Sequence, residues 1–140
     1  MIYLDSAAAV KLLHAEAHSQ ALRDWLGERA DTGWVSSVLI EIECFRALAR
    51  HAPEALPRLH MVLDLVEMVD LDPAVRIVAQ TITPPAVRSL DAIHVATALR
   101  IRERITSFVT YDTRLAAAAR KAGVAVDMPM ETRPRRPGGN

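Results

Sequence analysis

At 140 residues, the chain has the length of a single domain and can bury a sizeable hydrophobic core. Its formal net charge of zero leaves no overall basic field to attract nucleic acid, which argues against a simple nucleic-acid-binding module. The single cysteine, Cys44, excludes an internal disulfide and a cysteine-rich zinc site.

The first predicted elements form a strand that runs directly into a helix. The apolar strand covers residues 2–4 and ends at Asp5, and helix-forming residues follow over 7–16. We expect Ser19 to cap a second helix, because its hydroxyl can accept a hydrogen bond from the backbone of the next turn.

The middle of the chain repeats this alternation of strand and helix. A second strand is predicted over 34–38 and a helix over 39–50, with a third strand over 66–71. Asp72 followed by Pro73 is a strong signal for a helix start, because the aspartate can cap the helix and the proline suits its first position.

The last third of the chain adds two more helices and two strands. A helix is predicted from residue 89 or 90 to about 102, a strand over 107–110 and a helix over 113–122. Gly123 is expected just beyond that helix, in the left-handed conformation typical of helix ends. A short strand is predicted over 124–126.

Strands that alternate with helices predict an α/β fold with a parallel sheet and helices on both faces. We expect one domain over residues 1–130, followed by a disordered tail over 131–140 that is rich in proline, arginine and glycine. No apolar run approaches the roughly 20 residues that span a bilayer, and the opening residues lack the basic stretch of a secretory signal. We therefore expect a cytoplasmic protein without membrane contact.

In parallel α/β sheets, ligands bind beyond the carboxyl ends of the strands. Asp5 and Asp112 both follow predicted strands, so they lie at the same edge of the sheet if those strands are parallel. Two more acids lie on helices that lead from this edge, Glu43 in the helix after the second strand and Asp91 at a helix start. Each alone has an ordinary structural explanation, as a helix cap, a turn former, a dipole partner or an ion pair.

Together, the four acids predict a metal site. Carboxylates at close range repel one another, so their grouping requires a cation. Hard oxygen ligands favour Mg²⁺ or Mn²⁺ over zinc. Mg²⁺ retains several waters and commonly completes its shell with substrate phosphate, which predicts metal-assisted attack of water on a phosphodiester. The neutral net charge is compatible with a nuclease, because the metal supplies local positive charge.

Several neighbouring residues leave alternatives open. Glu41 and Glu43 lie about 200° apart on a helix, so only one can face the site, and helical geometry does not choose between them. His94 lies three residues after Asp91 on the same helical face. It can act as a ligand or proton carrier, but we favour a packing or hydrogen-bonding role.

Four segments carry a specific resemblance. Segment 2–8 is IYLDSAA, segment 37–47 is SVLIEIECFRA, segment 89–98 is SLDAIHVATA and segment 108–115 is FVTYDTRL. They resemble the four acidic motifs of the PIN-domain family, specifically the VapC toxins of bacterial toxin–antitoxin pairs. In the second motif the family's acid precedes an Arg-Ala pair by three residues, and that register selects Glu43.

The resemblance spans residues 1–127 and implies a five-stranded parallel sheet, a homodimer, Mg²⁺ or Mn²⁺ and RNA cleavage. It also implies inhibition by a small VapB-like antitoxin that blocks the acidic groove, and substrates that are structured RNAs such as tRNA or ribosomal RNA. Ala7 departs from the pattern, because many relatives have a hydroxyl residue there. That departure weakens one predicted contact to Asp5.

On this interpretation, Asp5 and Asp91 are the main metal contacts. Glu43 and Asp112 complete the site directly or through water, while Ser6 and Thr110 are candidates for hydrogen bonds to the acids. In-line attack by water would leave a 3′-hydroxyl and a 5′-phosphate. Three arginines are candidate contacts to RNA phosphates, although surface or ion-pair roles are favoured for each: Arg46, Arg88 and Arg114.

Three other functions remain as alternatives. A haloacid-dehalogenase-like phosphatase requires a second aspartate two residues after the first, where Ala7 stands. A receiver-like signalling domain requires adjacent acids after the first strand, but Ser6 is not acidic. The third alternative is a domain of the same fold that has lost activity and serves only to bind a partner.

Overall fold

The computed structural model describes residues 1–132. Within this range, five parallel strands form one sheet in the order β3-β2-β1-β4-β5. The strands are β1 (Ile2–Leu4), β2 (Trp34–Ser37), β3 (Val66–Val69), β4 (Ser107–Val109) and β5 (Val126–Asp127). The predicted α/β fold with a five-stranded parallel sheet is therefore confirmed.

Helices connect the strands and cover the sheet. Within residues 1–132 they comprise α1 (Ser6–Leu13), α2 (Ser19–Gly27), α3 (Leu39–His51), α4 (Leu59–Leu63), α5 (Pro73–Gln80), α6 (Ser89–Arg100) and α7 (Thr113–Lys121). A 3-10 helix over Pro53–Arg58 precedes α4. None of the helices in the described range is long and apolar enough to cross a membrane.

The central strand β1 shows why helices cover both faces. All three of its side chains are fully buried, and successive side chains of a strand point to opposite faces. Ile2 and Leu4 pack with Leu22 of α2, whereas Tyr3 packs with Leu115 of α7. Burial on both faces explains why this strand is a continuous apolar run rather than an alternating one.

The order of the strands reverses between β1 and β4. The first three strands extend to one side of this junction and the last two to the other. Leu4 pairs with Val109, and the backbone N–H of Asp5 donates to the carbonyl of Val109 at 3.2 Å. Asp5 and Thr110 therefore leave the sheet side by side, at the switch point where open α/β sheets bind ligands.

The predicted cap at the start of α2 is wrong. Ser19 is the first helical residue, and the residue before it, His18, adopts a left-handed φ of 68° and makes no side-chain cap. The Ser19 hydroxyl instead accepts a hydrogen bond from the backbone N–H of Glu16 at 3.0 Å. The hydroxyl thus stabilises the turn after α1, which ends at Leu13 rather than at residue 16.

Two other predicted helix ends are confirmed. Asp72 caps α5 by accepting a hydrogen bond from the Val75 N–H at 2.8 Å. Gly123 follows α7 with a φ of +88°. The last strand begins at Val126 rather than at 124, because the Val124 N–H donates back to the Ala119 carbonyl at the end of α7. Most of the predicted tail, residues 133–140, lies outside the described residues.

We predict that Gly123→Ala destabilises the protein by about 1 kcal/mol, because an L side chain resists the left-handed conformation. A Cβ at this position would meet no atom within 4 Å, so the cost is conformational and not steric. Gly27→Ala is the matched control, since a Cβ there also meets open space but lies on a helix. It should be neutral or stabilising by up to about 1 kcal/mol. Equal midpoints for the two variants in urea unfolding would contradict the prediction.

Candidate active site

The four predicted acids lie around the carboxyl edge of the sheet. Asp5 follows β1, Glu43 lies in the second turn of α3, Asp91 in the first turn of α6, and Asp112 immediately before α7. Their charges act on one another. The negative charge of Glu43 contributes to raising the pKa values of Asp5 and Asp91, and the charge of Asp112 contributes to raising the pKa of Asp91. The structure therefore brings all four acids into one electrostatic group.

Asp5 is the most deeply buried of the four acids, with 3% of its surface exposed. Its Oδ1 caps α1 by accepting a hydrogen bond from the Ala8 N–H at 2.8 Å, and its Oδ2 accepts a hydrogen bond from the Thr110 hydroxyl. Burial raises the pKa of Asp5 to about 6, although both hydrogen bonds oppose this shift by stabilising the carboxylate. The two hydrogen bonds therefore offset only part of the free-energy cost of burying the negative charge of Asp5.

Thr110 connects two of the acids. Its hydroxyl donates to Asp5 and accepts a hydrogen bond from the backbone N–H of Asp112 at 3.1 Å. The sequence also predicts a hydrogen bond from Ser6 to the acids. The structure instead shows the backbone carbonyl of Ser6 accepting a hydrogen bond from the Cys44 thiol at 3.8 Å.

Asp112 and Asp91 lie at the starts of two neighbouring helices. Oδ1 of Asp112 caps α7 by accepting hydrogen bonds from the backbone N–H groups of Arg114 at 2.9 Å and Leu115 at 3.1 Å. Asp91 is half-buried in the first turn of α6, and its pKa is raised, first by burial and then by the charge of Asp112. Repulsion between two neighbouring carboxylates is expected at a site that binds a cation.

The structure also distinguishes the two candidate glutamates. Glu41 is exposed to solvent, whereas the Glu43 side chain is only 20% exposed and its Oε1 lies 2.6 Å from Nε2 of His94. The same register was selected by the motif resemblance.

His94 connects Glu43 to the core. Its side chain is 1% exposed, and its Nδ1 lies 2.7 Å from the Tyr3 hydroxyl. The Tyr3 oxygen in turn accepts a hydrogen bond from the Ser37 N–H at 3.2 Å. Sequence reasoning had assigned no site role to Tyr3, because it lies in the apolar run of β1. For His94, the spacing of three residues from Asp91 was the available signal.

The donor set suits a hard divalent cation bound partly by water. Among residues 1–132, no three Asp, Glu, His or Cys side chains form a ready-made metal cage. Mg²⁺ does not require one, because it commonly binds through one or two carboxylates and fills its other positions with water and phosphate. The carboxylates of Asp5 and Asp91, with Glu43 and Asp112 nearby, match that chemistry.

A cavity of about 610 Å³ opens beside Asp91 and Asp112. Three cationic side chains, Arg88, Arg114 and Lys121, also line it and are exposed to solvent. None of these three forms an ion pair with a carboxylate within the described part of the chain. The cavity therefore combines an acidic edge with cations that are available to a ligand.

Several solved structures have a similar fold. The VapBC2 complex of Rickettsia felis, bound to a promoter DNA fragment, superposes with a TM-score of 0.69 at 15% identity, covering 91% of this chain and 98% of the other. VapC20 of Mycobacterium tuberculosis gives a TM-score of 0.68 at 14% identity, covering 84% and 95%. FitAcB of Neisseria gonorrhoeae also gives 0.68, at 21% identity, covering 92% and 98%. These similarities show the fold.

Sequence comparison shows the family. The PIN domain model matches residues 2–121. The chain is 42% identical to Ribonuclease VapC35 of Mycobacterium tuberculosis over 135 residues, which cover 95% of this chain and 100% of the relative. It is 39% identical to Ribonuclease VapC47 of the same species, covering 92% and 97%. The chain therefore belongs to the PIN-domain family, as a VapC-type ribonuclease toxin.

Proposed function

We propose that this VapC-type ribonuclease is a Mg²⁺- or Mn²⁺-dependent endoribonuclease that hydrolyses RNA phosphodiester bonds in the cytoplasm. One observation carries the proposal: four carboxylates share the switch point of the sheet, and the pKa values of Asp5 and Asp91 are raised. A group of like charges that burial leaves poorly compensated is a binding site for a cation.

The acids have different roles in this proposal. Asp5 and Asp91 are the main metal contacts, and Glu43 and Asp112 complete the site directly or through water. Thr110 holds Asp5 in place, and the helix caps of Asp5 and Asp112 fix both side chains relative to the backbone. A cation held by these acids would supply Lewis-acid chemistry to the scissile phosphate and to the attacking water.

We infer that the RNA backbone enters the cavity beside Asp91 and Asp112. Arg88, Arg114 and Lys121 line that cavity, and cationic side chains are the usual contacts to phosphates. Structured RNAs such as tRNA or ribosomal RNA are the proposed substrates. The fold similarity to VapC20, a sarcin-ricin loop cleaving toxin, supports this class.

We also propose that the chain pairs with a VapB-like antitoxin and forms a homodimer. The similar folds include a VapBC2 complex and FitAcB, which supports an antitoxin partner. Ile42 and Phe45 are 60% and 54% exposed on the outer face of α3, the helix that also carries Glu43. Large apolar side chains exposed together on one face of a helix are typical of a surface that contacts another protein.

We predict that the purified protein with Mg²⁺ or Mn²⁺ cuts RNA to fragments with 5′-phosphates and 3′-hydroxyls, and that EDTA stops the reaction. The reason is that metal-assisted attack by water does not use the 2′-hydroxyl of the substrate. Ligation-based sequencing of the product ends checks this outcome. Cleavage that survives EDTA, or products with 2′,3′-cyclic phosphates, would rule out the mechanism. A protein that folds but cuts no RNA would favour the partner-binding alternative.

Glu43→Gln should lower RNA cleavage by about 10- to 100-fold or more, because it removes the negative charge while retaining an oxygen that can accept the His94 hydrogen bond. Glu41→Gln is the matched control on the same helix and should leave cleavage unchanged, because Glu41 faces solvent. Initial rates of both variants under saturating Mn²⁺ make the comparison. A larger loss in the Glu41 variant would refute the assignment.

Asp91→Asn should leave the metal-free protein at least as stable as wild type at pH 7. Burial and the charge of Asp112 raise the folded-state pKa of Asp91. The ionised carboxylate therefore lowers the stability of the fold at pH values above the ordinary pKa range of an aspartate. The gain is at most about 1 kcal/mol, because solvent screens this half-buried group. Raised folded-state pKa values also mean that wild type gains stability as the pH falls: Asp5 contributes as the pH falls through about 6, and Asp91 contributes as the pH falls toward the ordinary pKa range of an aspartate. The variant should lose part of this gain.

Thermal melts with Mn²⁺ complete this test. At a hundredfold excess over its Kd, a metal that binds only the folded state stabilises by about 2.7 kcal/mol. Wild type should show this increase and Asp91→Asn much less. If Asp91 serves only as a favourable charge in the first turn of α6, the metal-free variant will be less stable than wild type and its response to Mn²⁺ unchanged.

A further inference from the structure

A chain of three hydrogen bonds runs from the backbone of β2 to the active-site glutamate. The Ser37 N–H donates to the Tyr3 oxygen at 3.2 Å, the Tyr3 hydroxyl lies 2.7 Å from Nδ1 of His94, and Nε2 of His94 lies 2.6 Å from Oε1 of Glu43. Tyr3 is fully buried and His94 nearly so. The chain therefore links two strands and two helices without passing through solvent.

The hydrogen-bond partners assign the protons along this chain. A backbone N–H can only donate, so Ser37 occupies a lone pair of the Tyr3 oxygen. With Glu43 as a carboxylate that can only accept, a neutral His94 imidazole accepts the Tyr3 hydroxyl proton at Nδ1 and carries its own proton on Nε2. That N–H donates to Oε1 of Glu43, a bond that requires an accepting oxygen on the glutamate.

Packing keeps the chain rigid. The Tyr3 ring stacks on Phe108 with centroids 4.7 Å apart and an interplanar angle of 7°, and it meets the His94 ring edge-on at 5.9 Å. His94 is one helical turn after Asp91 on α6. Helix α6 thus carries both Asp91 and the histidine that contacts Glu43. The contact with His94 uses Oε1 of Glu43, and Oε2 takes no part in it.

We propose that Tyr3 and His94 are positioning residues that orient Glu43 toward the catalytic cation through this chain of hydrogen bonds. The inference rests on the proposed metal-dependent function, and it adds two residues that contact neither metal nor substrate. The competing explanation is that the chain only satisfies buried polar groups and stabilises the fold. The two explanations differ in whether the effect of His94 depends on Glu43.

Calorimetric titration of the whole protein with Mn²⁺ separates them. His94→Leu should raise the Kd for Mn²⁺ by about 10- to 100-fold, the usual effect of losing a group that orients a metal ligand. His94→Gln should recover part of that loss, because its amide can donate to Glu43. In a Glu43→Gln background, His94→Leu should have little further effect on Mn²⁺ binding, since the carboxylate that His94 orients toward the cation is already replaced by an amide. Urea unfolding of the same samples checks that each variant is folded.

The two tyrosines of the chain supply a second, milder test. Tyr3→Phe removes only the hydroxyl and keeps the ring that stacks on Phe108. Tyr111→Phe is the matched control, because its hydroxyl makes a hydrogen bond of the same 2.7 Å length, but to the Pro129 carbonyl. Tyr3→Phe should weaken Mn²⁺ binding and lower kcat for RNA with KM nearly unchanged, whereas Tyr111→Phe should change neither quantity.

The outcomes distinguish the inference from the function on which it rests. A wild type that neither binds Mn²⁺ nor cleaves RNA overturns both. A wild type that does both, while His94→Leu and Tyr3→Phe stay within twofold of it, overturns the positioning role alone. Equal losses from His94→Leu in the wild-type and Glu43→Gln backgrounds also overturn it. Long-range ¹H–¹⁵N NMR of the metal-free protein should show His94 with its proton on Nε2, and a proton on Nδ1 contradicts the chain as assigned.

Discussion

Repulsion between carboxylates at one edge of the sheet is the constraint on which the site depends. The fold holds Asp5, Glu43, Asp91 and Asp112 close enough for their fields to act on one another. Burial first, and then the charges of neighbouring acids, raise the pKa values of Asp5 and Asp91. Such a cluster persists because the rest of the domain fixes it: strand β1 is buried on both faces, and its register with β4 sets Asp5 beside Thr110. The core thus offsets a local electrostatic cost that a cation would remove.

Each fixed acid receives hydrogen bonds from groups that are themselves rigid. Backbone N–H groups of α1 and α7 hold Asp5 and Asp112, and a side chain anchored in the core holds Glu43. Asp91 differs, since it lies in the first turn of α6 and electrostatic attraction to His94 and Arg88, rather than a hydrogen-bonded cap, favours its carboxylate. This difference explains why neutralising Asp91 is the least disruptive way to probe the charge of the cluster.

Local signals in the sequence predicted most of the fold, and contacts between distant residues account for the rest. Asp72 and Gly123 were assigned correctly because capping and left-handed turns depend on adjacent residues. Ser19 was assigned wrongly, because its hydroxyl serves the preceding turn. Periodicity alone could not choose Glu43 over Glu41; the motif did, and burial against a histidine 51 positions away gives the physical reason. Tyr3 could not be found at all, since its partner is 91 residues distant.

Capping and metal binding are compatible roles for an aspartate at the end of a strand. The cap of α7 uses only Oδ1 of Asp112, and the cap of α1 uses only Oδ1 of Asp5. Asp5 and Asp112 each accept two hydrogen bonds, and a carboxylate has about four lone-pair sites, so a capped aspartate retains sites for a cation. The cap also fixes the side chain before any cation arrives, which lowers the ordering cost of binding. Helix starts at the carboxyl edge of a parallel sheet therefore supply acids that are already oriented, and the strand order that creates the switch point also creates the site.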